Sequence, residues 1–290
     1  MNKFFEINNL EYRYPKAQNQ TIQNISFFVE EGTIFGILGP SGAGKSTTQK
    51  ILTKLITDYQ GEIKFMGKDL RTYKKDFYEG IGVGFEMPVH FNKLTAMENL
   101  KYFASLYQNK ADYEGLLRTV GLYESKDMEV GQFSKGMKVR LNFVRAMLNN
   151  PKVLFLDEPT NGLDPSNAKI IKNLILDFQK QGGTVLISTH LMGDVEQLCD
   201  QVVFMTNGKL SPMASPRDLK LQYGKKEVKA EYLNDGKLTS KIYPMDNLGK
   251  NPEFLKDLNE EKLETIHSGE TSLEDIFIII TGGQADAKND

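Results

Sequence analysis

Cysteine is nearly missing from this 290-residue sequence, where Cys199 stands alone. That excludes a disulfide framework and a cysteine-built zinc cluster, and it fits a reducing compartment. The plain reading of Cys199 is a buried thiol on a helix face. An excess of charge is missing too: 36 Lys and Arg against 38 Asp and Glu give a formal net charge of −2. No global positive field points to nucleic acid as a partner. Long apolar runs are also lacking. Ile276 to Ile280 is among the longest, far short of the roughly 18 residues that span a bilayer. The opening residues, Met1 to Glu6, have no apolar segment of the kind a signal peptide carries. Internal repeats and low-complexity tracts are not visible. The expectation is a soluble chain whose membrane contact runs only through a partner. At 40% apolar composition, it can bury one sizeable core and carry a small appendage.

What is present is organised around Gly39-Pro40-Ser41-Gly42-Ala43-Gly44-Lys45-Ser46-Thr47. This stretch fits G-x-x-x-x-G-K-[ST], the phosphate-cradling P-loop. An apolar run, Thr33 to Leu38, precedes it as a buried strand, and Lys45 to Ile56 follows with helical character. Strand, loop and helix in that order are the context the motif requires. The glycines let backbone N–H groups turn inward on phosphate oxygens, and the helix start adds partial positive charge. Lys45 would reach the β- and γ-phosphates, and the Ser46 hydroxyl would ligate Mg²⁺.

Upstream, Phe4 to Ile7 and Ile25 to Val29 read as strands. Between them lies Tyr12-Arg13-Tyr14-Pro15. An aromatic just before a P-loop can stack on adenine. Tyr14, held by Pro15, is the better placed of the two, and an ordinary half-buried strand tyrosine is the equal alternative. Downstream, Gly61 to Phe65 and Ile81 to Phe85 read as strands, the second stopping at Glu86-Met87-Pro88. The pattern then turns helical over Thr95–Tyr107, Tyr113–Val120 and Ser134–Leu148. Strands return at Val153 to Leu156 and Thr184 to Ser188. Between these two, Asp164-Pro165 opens a helix with Asp as cap and Pro in the first turn. Gln201 to Met205 with Asn207-Gly208 begins a hairpin. Ser211-Pro212 and Ser215-Pro216 mark a boundary. Beyond it lie two strands (Lys226–Leu233 and Lys237–Tyr243) and two helices (Pro252–Glu261 and Ser272–Ile280) of a small α+β domain.

The run Val153-Leu154-Phe155-Leu156-Asp157-Glu158 is the second strong signal. A buried strand ending in two acids puts carboxylates at the C-terminal edge of the sheet, where ligands sit in open α/β folds. Asp157 would hold Mg²⁺ through a water, and Glu158 would polarise the attacking water.

Lys45-Ser46, Asp157-Glu158-Pro159-Thr160, Gly162-Leu163-Asp164-Pro165 and Ser188-Thr189-His190 together resemble the ordered motif set of an ATP-binding-cassette (ABC) transporter ATPase. The likeness covers about residues 3–212. The tail, with Ser272-Leu273-Glu274-Asp275-Ile276-Phe277, resembles the drug-exporter branch. The resemblance implies an α/β P-loop NTPase core over 1–215, a helical subdomain inserted at about 87–149, and a C-terminal accessory domain over 216–290. It also implies further roles. Ser134 and Gly136, at the start of a helix, would bind the γ-phosphate of ATP held by the other subunit. His190 would sense that phosphate, and Asp164 would cross the dimer interface while capping its own helix. Two positions depart from the family pattern. Glu86 stands where many members carry glutamine, and it either contacts Mg²⁺ or is a solvated strand end. Lys135 and Met137 replace the commonest glycine and glutamine of the signature, a variant frequent in the exporter branch.

The expected function is ATP hydrolysis coupled to export through separate transmembrane permease subunits. The cofactors are ATP and Mg²⁺. The working form is a homodimer, or a pair with a related ATPase subunit, on the cytoplasmic side of the membrane. Phe91 and Leu94 of the helical block would meet the membrane partner or belong to the block's own core. The competing reading is a soluble, non-transport ABC ATPase acting in assembly or repair.

Overall fold

The computed structural model describes residues 2–86, 89–224, 226–234, 237–260, 262–269 and 271–281. Met87 and Pro88, expected at the end of a strand, and Glu261, expected at the end of a helix, lie outside these residues. The chain opens with β1 (Lys3–Tyr12), β2 (Ile22–Glu30), β3 (Ile34–Leu38) and helix α1 (Lys45–Leu52). Next come β4 (Gln60–Phe65), β5 (Lys68–Asp69), α2 (Asp76–Glu79) and β6 (Ile81–Gly84). Helices α3 (Ala96–Ala104), α4 (Tyr113–Thr119) and α5 (Lys135–Ala146) form a block. The alternation resumes with β7 (Val153–Asp157), α6 (Pro165–Lys180), β8 (Thr184–Thr189), α7 (Met192–Leu198), β9 (Gln201–Thr206) and β10 (Lys209–Leu210). The last elements are α8 (Pro216–Tyr223), β11 (Glu227–Asn234), β12 (Lys237–Pro244), α9 (Pro252–Glu260), β13 (Lys262–Gly269) and α10 (Leu273–Thr281). Backbone contacts divide the chain into a unit of residues 1–216 and a unit of residues 217–290.

The first unit holds two sheets. One has the order β10-β9-β3-β8-β7-β6, with β9, β3, β8, β7 and β6 parallel and β10 folded back on the edge. The other is antiparallel, in the order β2-β1-β4-β5. The apolar runs explain the burial. All residues of β3 and β8 and the first four of β7 are buried, as expected for parallel strands covered on both faces. The two sheets share one core. Phe5 of β1 meets Phe155 of β7 edge-on, with ring centroids 5.8 Å apart. Phe27 of β2 stacks on Phe35 of β3 at 5.3 Å, and Ile51 and Leu52 of α1 complete the cluster.

The helical block has its own core, built from Met97 and Leu100 of α3, Leu117 of α4 and Leu141 and Val144 of α5. Thr95 caps α3 by accepting from the Glu98 amide at 3.1 Å, and the Glu98 carboxylate accepts from the Thr95 amide at 2.8 Å. This reciprocal capping box fixes where the block begins. In the second unit, β11 lies between β12 and β13, all antiparallel. Ala230, Tyr232, Tyr243 and Phe254 form its core, and the Tyr243 hydroxyl donates to the buried Asp257. Among the described residues no helix is long and apolar enough to cross a membrane.

Helix α1 stops at Leu52, before the expected Ile56. Lys54 adopts a left-handed φ of 60°. The amides of Leu55 and Ile56 both close onto the Lys50 carbonyl, at 2.9 and 3.0 Å. Such a closure satisfies the end carbonyls as a C-cap glycine would, though no glycine marks it in the sequence.

Phe155 is fully buried between the sheets, so its truncation removes contacts that the surroundings cannot refill. Phe155→Ala is expected to lower the unfolding free energy of the first unit by about 3–5 kcal/mol in urea titrations. A change below about 1 kcal/mol would contradict this packing.

Candidate functional site

The P-loop leaves β3 at Leu38 and enters α1 at Lys45, and its tightness rests on two glycines. A Cβ on Gly39 would lie 2.1 Å from the Met205 carbonyl oxygen of β9. Gly44 has a φ of 114°, and a Cβ there would lie 3.0 Å from the Thr21 carbonyl. Neither position admits another residue without moving the loop. Gly44 also stands at the cap position of α1, and α1 has no side-chain cap. Its first amides are therefore left for an anion.

Lys45 is the first residue of α1 and is buried. Its Nζ donates to the carbonyls of Gly39 at 2.8 Å and Pro40 at 3.2 Å, and lies 3.7 Å from Glu158 Oε1. The side chains of Lys45 and Glu158 are each 7% exposed. Gln49, one turn along α1, donates to the Leu156 carbonyl of β7 at 3.1 Å. That bond ties the phosphate-loop helix to the strand carrying the acids.

β7 and β8 run in parallel register, with Asp157 paired to Ser188. The Ser188 hydroxyl donates to Asp157 Oδ1, and the Glu158 amide donates to the Ser188 carbonyl at 2.8 Å. Glu158 takes a left-handed φ of 49°, uncommon for a residue with a Cβ. Its Oε2 accepts from Thr189 Oγ1 at 2.8 Å and from the His190 amide at 3.4 Å. Its Oε1 lies 2.9 Å from His190 Nδ1. A carboxylate only accepts, so Nδ1 carries the proton in this bond.

The remaining expected residues fall into three places. Tyr14 is partly exposed and shares a hydrogen bond of 3.2 Å with Thr47 Oγ1 in the first turn of α1. Its ring meets Tyr12 edge-on at 4.9 Å. Glu86 is exposed and accepts from Asn161 Nδ2 at 3.4 Å, in the turn after Glu158. Ser134 and Gly136 at the start of α5 and Asp164 at the start of α6 form a second cluster, with Asn167 between Gly136 and Asp164. Ser134 caps α5 by accepting from the Met137 amide at 3.2 Å. Asp164 caps α6, accepting from the amides of Ser166 and Asn167 at 3.1 Å each. The Asn167 side chain, followed by these amides, holds the Asp164 carboxyl below the usual carboxylate range. A Cβ on Gly136 would lie 3.4 Å from Asn167 Nδ2, so α5 starts close against the start of α6.

Thr189, Ser188 and Gln49 hold the acids in place, and sequence reasoning missed all three as site residues. Ser188 and Thr189 did precede His190 in the motif order. Gln49 left no signal, because a polar residue on a helix reads as solvated.

A hollow of about 450 Å³ lies between β6 and the helical block, lined by Val83, Phe85, Val89, Phe91, Phe103 and Arg145 among others. Phe91 is exposed and stacks on Phe103 at 5.8 Å, whereas Leu94 is half-buried. The Arg145 guanidinium sits over the Phe103 ring at 4.9 Å and donates to the Val89 carbonyl at 2.5 Å.

The comparisons with known proteins agree with this geometry. The profile of the family described as ABC transporter matches residues 22–161. A fluoroquinolones export ATP-binding protein of Mycobacterium tuberculosis is 45% identical over 280 residues, spanning 96% of this chain and 93% of that one. The chain belongs to the ABC transporter ATP-binding proteins. This ABC ATPase thus binds and hydrolyses ATP. A lantibiotic transport ATP-binding protein of Streptococcus pyogenes is 36% identical over 206 residues, 71% of this chain and 88% of its own length. A solved ATP-binding subunit of an ABC transporter superposes with a TM-score of 0.69 at 30% identity, covering 76% of this chain and 93% of that chain. The profile described as the fluoroquinolone efflux ABC transporter C-terminal domain matches residues 226–270 of the ABC ATPase.

His90 lies beside the hollow. Its Nε2 donates to the Lys138 carbonyl at 3.3 Å, and among the described residues its buried Nδ1 has no partner. Burial, then the nearby Arg145 charge, push its pKa down to about 4. The folded state thus prefers neutral His90 while the unfolded chain titrates near 6.5. The stability this supplies is complete above about pH 6.5 and is lost as pH falls toward 4. The wild-type ABC ATPase should lose on the order of 2 kcal/mol more than His90→Gln between pH 6.5 and pH 4.5 in chemical denaturation. Equal losses in both would contradict the assignment.

Proposed function

We propose that this ABC ATPase powers export of fluoroquinolone-class compounds through separate transmembrane subunits, with Glu158 as general base. The observation that carries the catalytic part is the buried Glu158 carboxylate, 3.7 Å from Lys45 Nζ and hydrogen-bonded to His190. The substrate class is supported by the M. tuberculosis relative, an export protein for fluoroquinolones by name, and by the match of residues 226–270.

Lys45 takes the β- and γ-phosphates, and the loop from Gly39 to Gly44, with the uncapped first amides of α1 at Lys45 to Thr47, wraps around them. Tyr14, beside Thr47, stacks on the adenine. When the phosphates draw Lys45 away, one oxygen of Glu158 is released to orient and deprotonate water. His190 then holds the γ-phosphate through its ring. The oxygen donors near the loop suit a hard cation. Ser46 offers a hydroxyl and Asp157 a carboxylate fixed by Ser188, with Glu86 as a further carboxylate beyond Asn161. Mg²⁺ held there would screen phosphate charge and polarise the γ-phosphoryl group.

The cluster of Ser134, Gly136 and Asp164 serves the second nucleotide. In a dimer of two copies, or of this chain with a related subunit, the start of α5 caps the γ-phosphate of ATP on the opposing P-loop. Asp164 lies across the interface. The hollow beside Phe91 and Phe103 receives a helix from the permease, and the complex sits on the cytoplasmic face of the membrane. The apolar walls of the hollow and the Arg145 guanidinium suit an amphipathic segment.

The test is co-expression with its transmembrane permease subunits, reading fluoroquinolone accumulation in cells and ATP hydrolysis in nanodiscs. The intact pair should lower accumulation. Glu158→Gln should abolish efflux and cut turnover at least about a hundredfold while ATP still binds. Lys45→Ala should lose ATP affinity itself. Full turnover in Glu158→Gln would sink the general-base role. Unchanged accumulation with active ATP hydrolysis would sink the substrate.

A further inference from the structure

We infer that Thr189 is a positioning residue for ATP hydrolysis. Its buried hydroxyl fixes one oxygen of Glu158, so that the other faces the attacking water once Lys45 has moved to phosphate. The inference rests on Glu158 being the general base.

Thr189 ends β8, pairs with Leu38 at the end of β3, and is 2% exposed. Its Oγ1 accepts from the Leu191 amide at 3.0 Å and lies 2.8 Å from Glu158 Oε2. A backbone amide can only donate and a hydroxyl has one proton, so that proton is committed to Glu158. The methyl group restricts χ1 and keeps the hydroxyl aimed.

The other contacts of Glu158 are poorer anchors. Lys45 is the group that phosphate withdraws. His190 is 44% exposed and free to turn toward a phosphate, and its amide reaches Oε2 only at 3.4 Å. Among the described residues, Thr189 supplies the one short hydrogen bond to the Glu158 carboxylate that nucleotide has no reason to break. It matters because Glu158 sits at a φ of 49°, a conformation disfavoured for residues with a Cβ. That backbone bend turns the carboxylate onto the end of β8, where Thr189 receives it.

Thr189→Val removes the hydroxyl and keeps the shape, and Thr189→Ser keeps the hydroxyl. Steady-state hydrolysis and ATP binding are measured for both, beside Glu158→Gln. Thr189→Val should lose about 30-fold in kcat with KM for ATP within about twofold of wild type. Thr189→Ser should recover to within about threefold in kcat. A Thr189→Val kcat within about twofold of wild type would overturn the proposal. So would equal damage in the Ser variant, or parallel loss of ATP affinity and kcat in the Val variant, both of which assign Thr189 to packing. Persistent turnover in Glu158→Gln would instead remove the general base itself, a failure distinct from any of these.

Discussion

Parallel pairing of β7 with β8 brings Asp157 opposite Ser188, and the chemistry of the site follows from that alignment. Both strands end at the same level. The two acids therefore arrive beside Ser188, Thr189 and His190, which hold them through side-chain hydrogen bonds. A slip of one residue would turn these side chains to the opposite face of the sheet. Gln49 links the same edge to the P-loop helix.

Against that frame stands a buried ion pair that is satisfied in an unusual way. Lys45 spends its hydrogen bonds on the carbonyls of its own loop and shares Glu158 with His190. Removing either charge would leave the other buried without its counterpart, a costly state. In the proposed mechanism, incoming phosphate would supply a richer set of negative oxygens for Lys45, and nucleotide binding would free Glu158 in the same event. The helix starts share this logic. α3, α5 and α6 close their first turns with Thr95, Ser134 and Asp164, whereas α1 opens on Gly44 with no side chain over its amides.

Features fixed by neighbouring residues were legible in the sequence. The P-loop, the apolar run into Asp157-Glu158, the Asp164-Pro165 helix start and the hairpin after Gln201 all stand where their local chemistry put them. Features fixed by distant pairing were not. The bond between Thr189 and Glu158 joins residues 31 apart, and Gln49 reaches a carbonyl 107 positions away. β13 carries too little alternation to announce a strand and is set by its pairing with β11. α7 was likewise unmarked, because no side chain caps it and only Val195 and Leu198 are buried. The early end of α1 came from a left-handed lysine, where a glycine would have given the signal.

The most direct test is a crystal structure of the chain with Mg²⁺ and a non-hydrolysable ATP analogue. Lys45 Nζ should have left Glu158 and the Gly39 carbonyl for the β- and γ-phosphates, with the Thr189 hydroxyl still on Glu158. A structure with the nucleotide bound and Lys45 still paired to Glu158 would contradict the account.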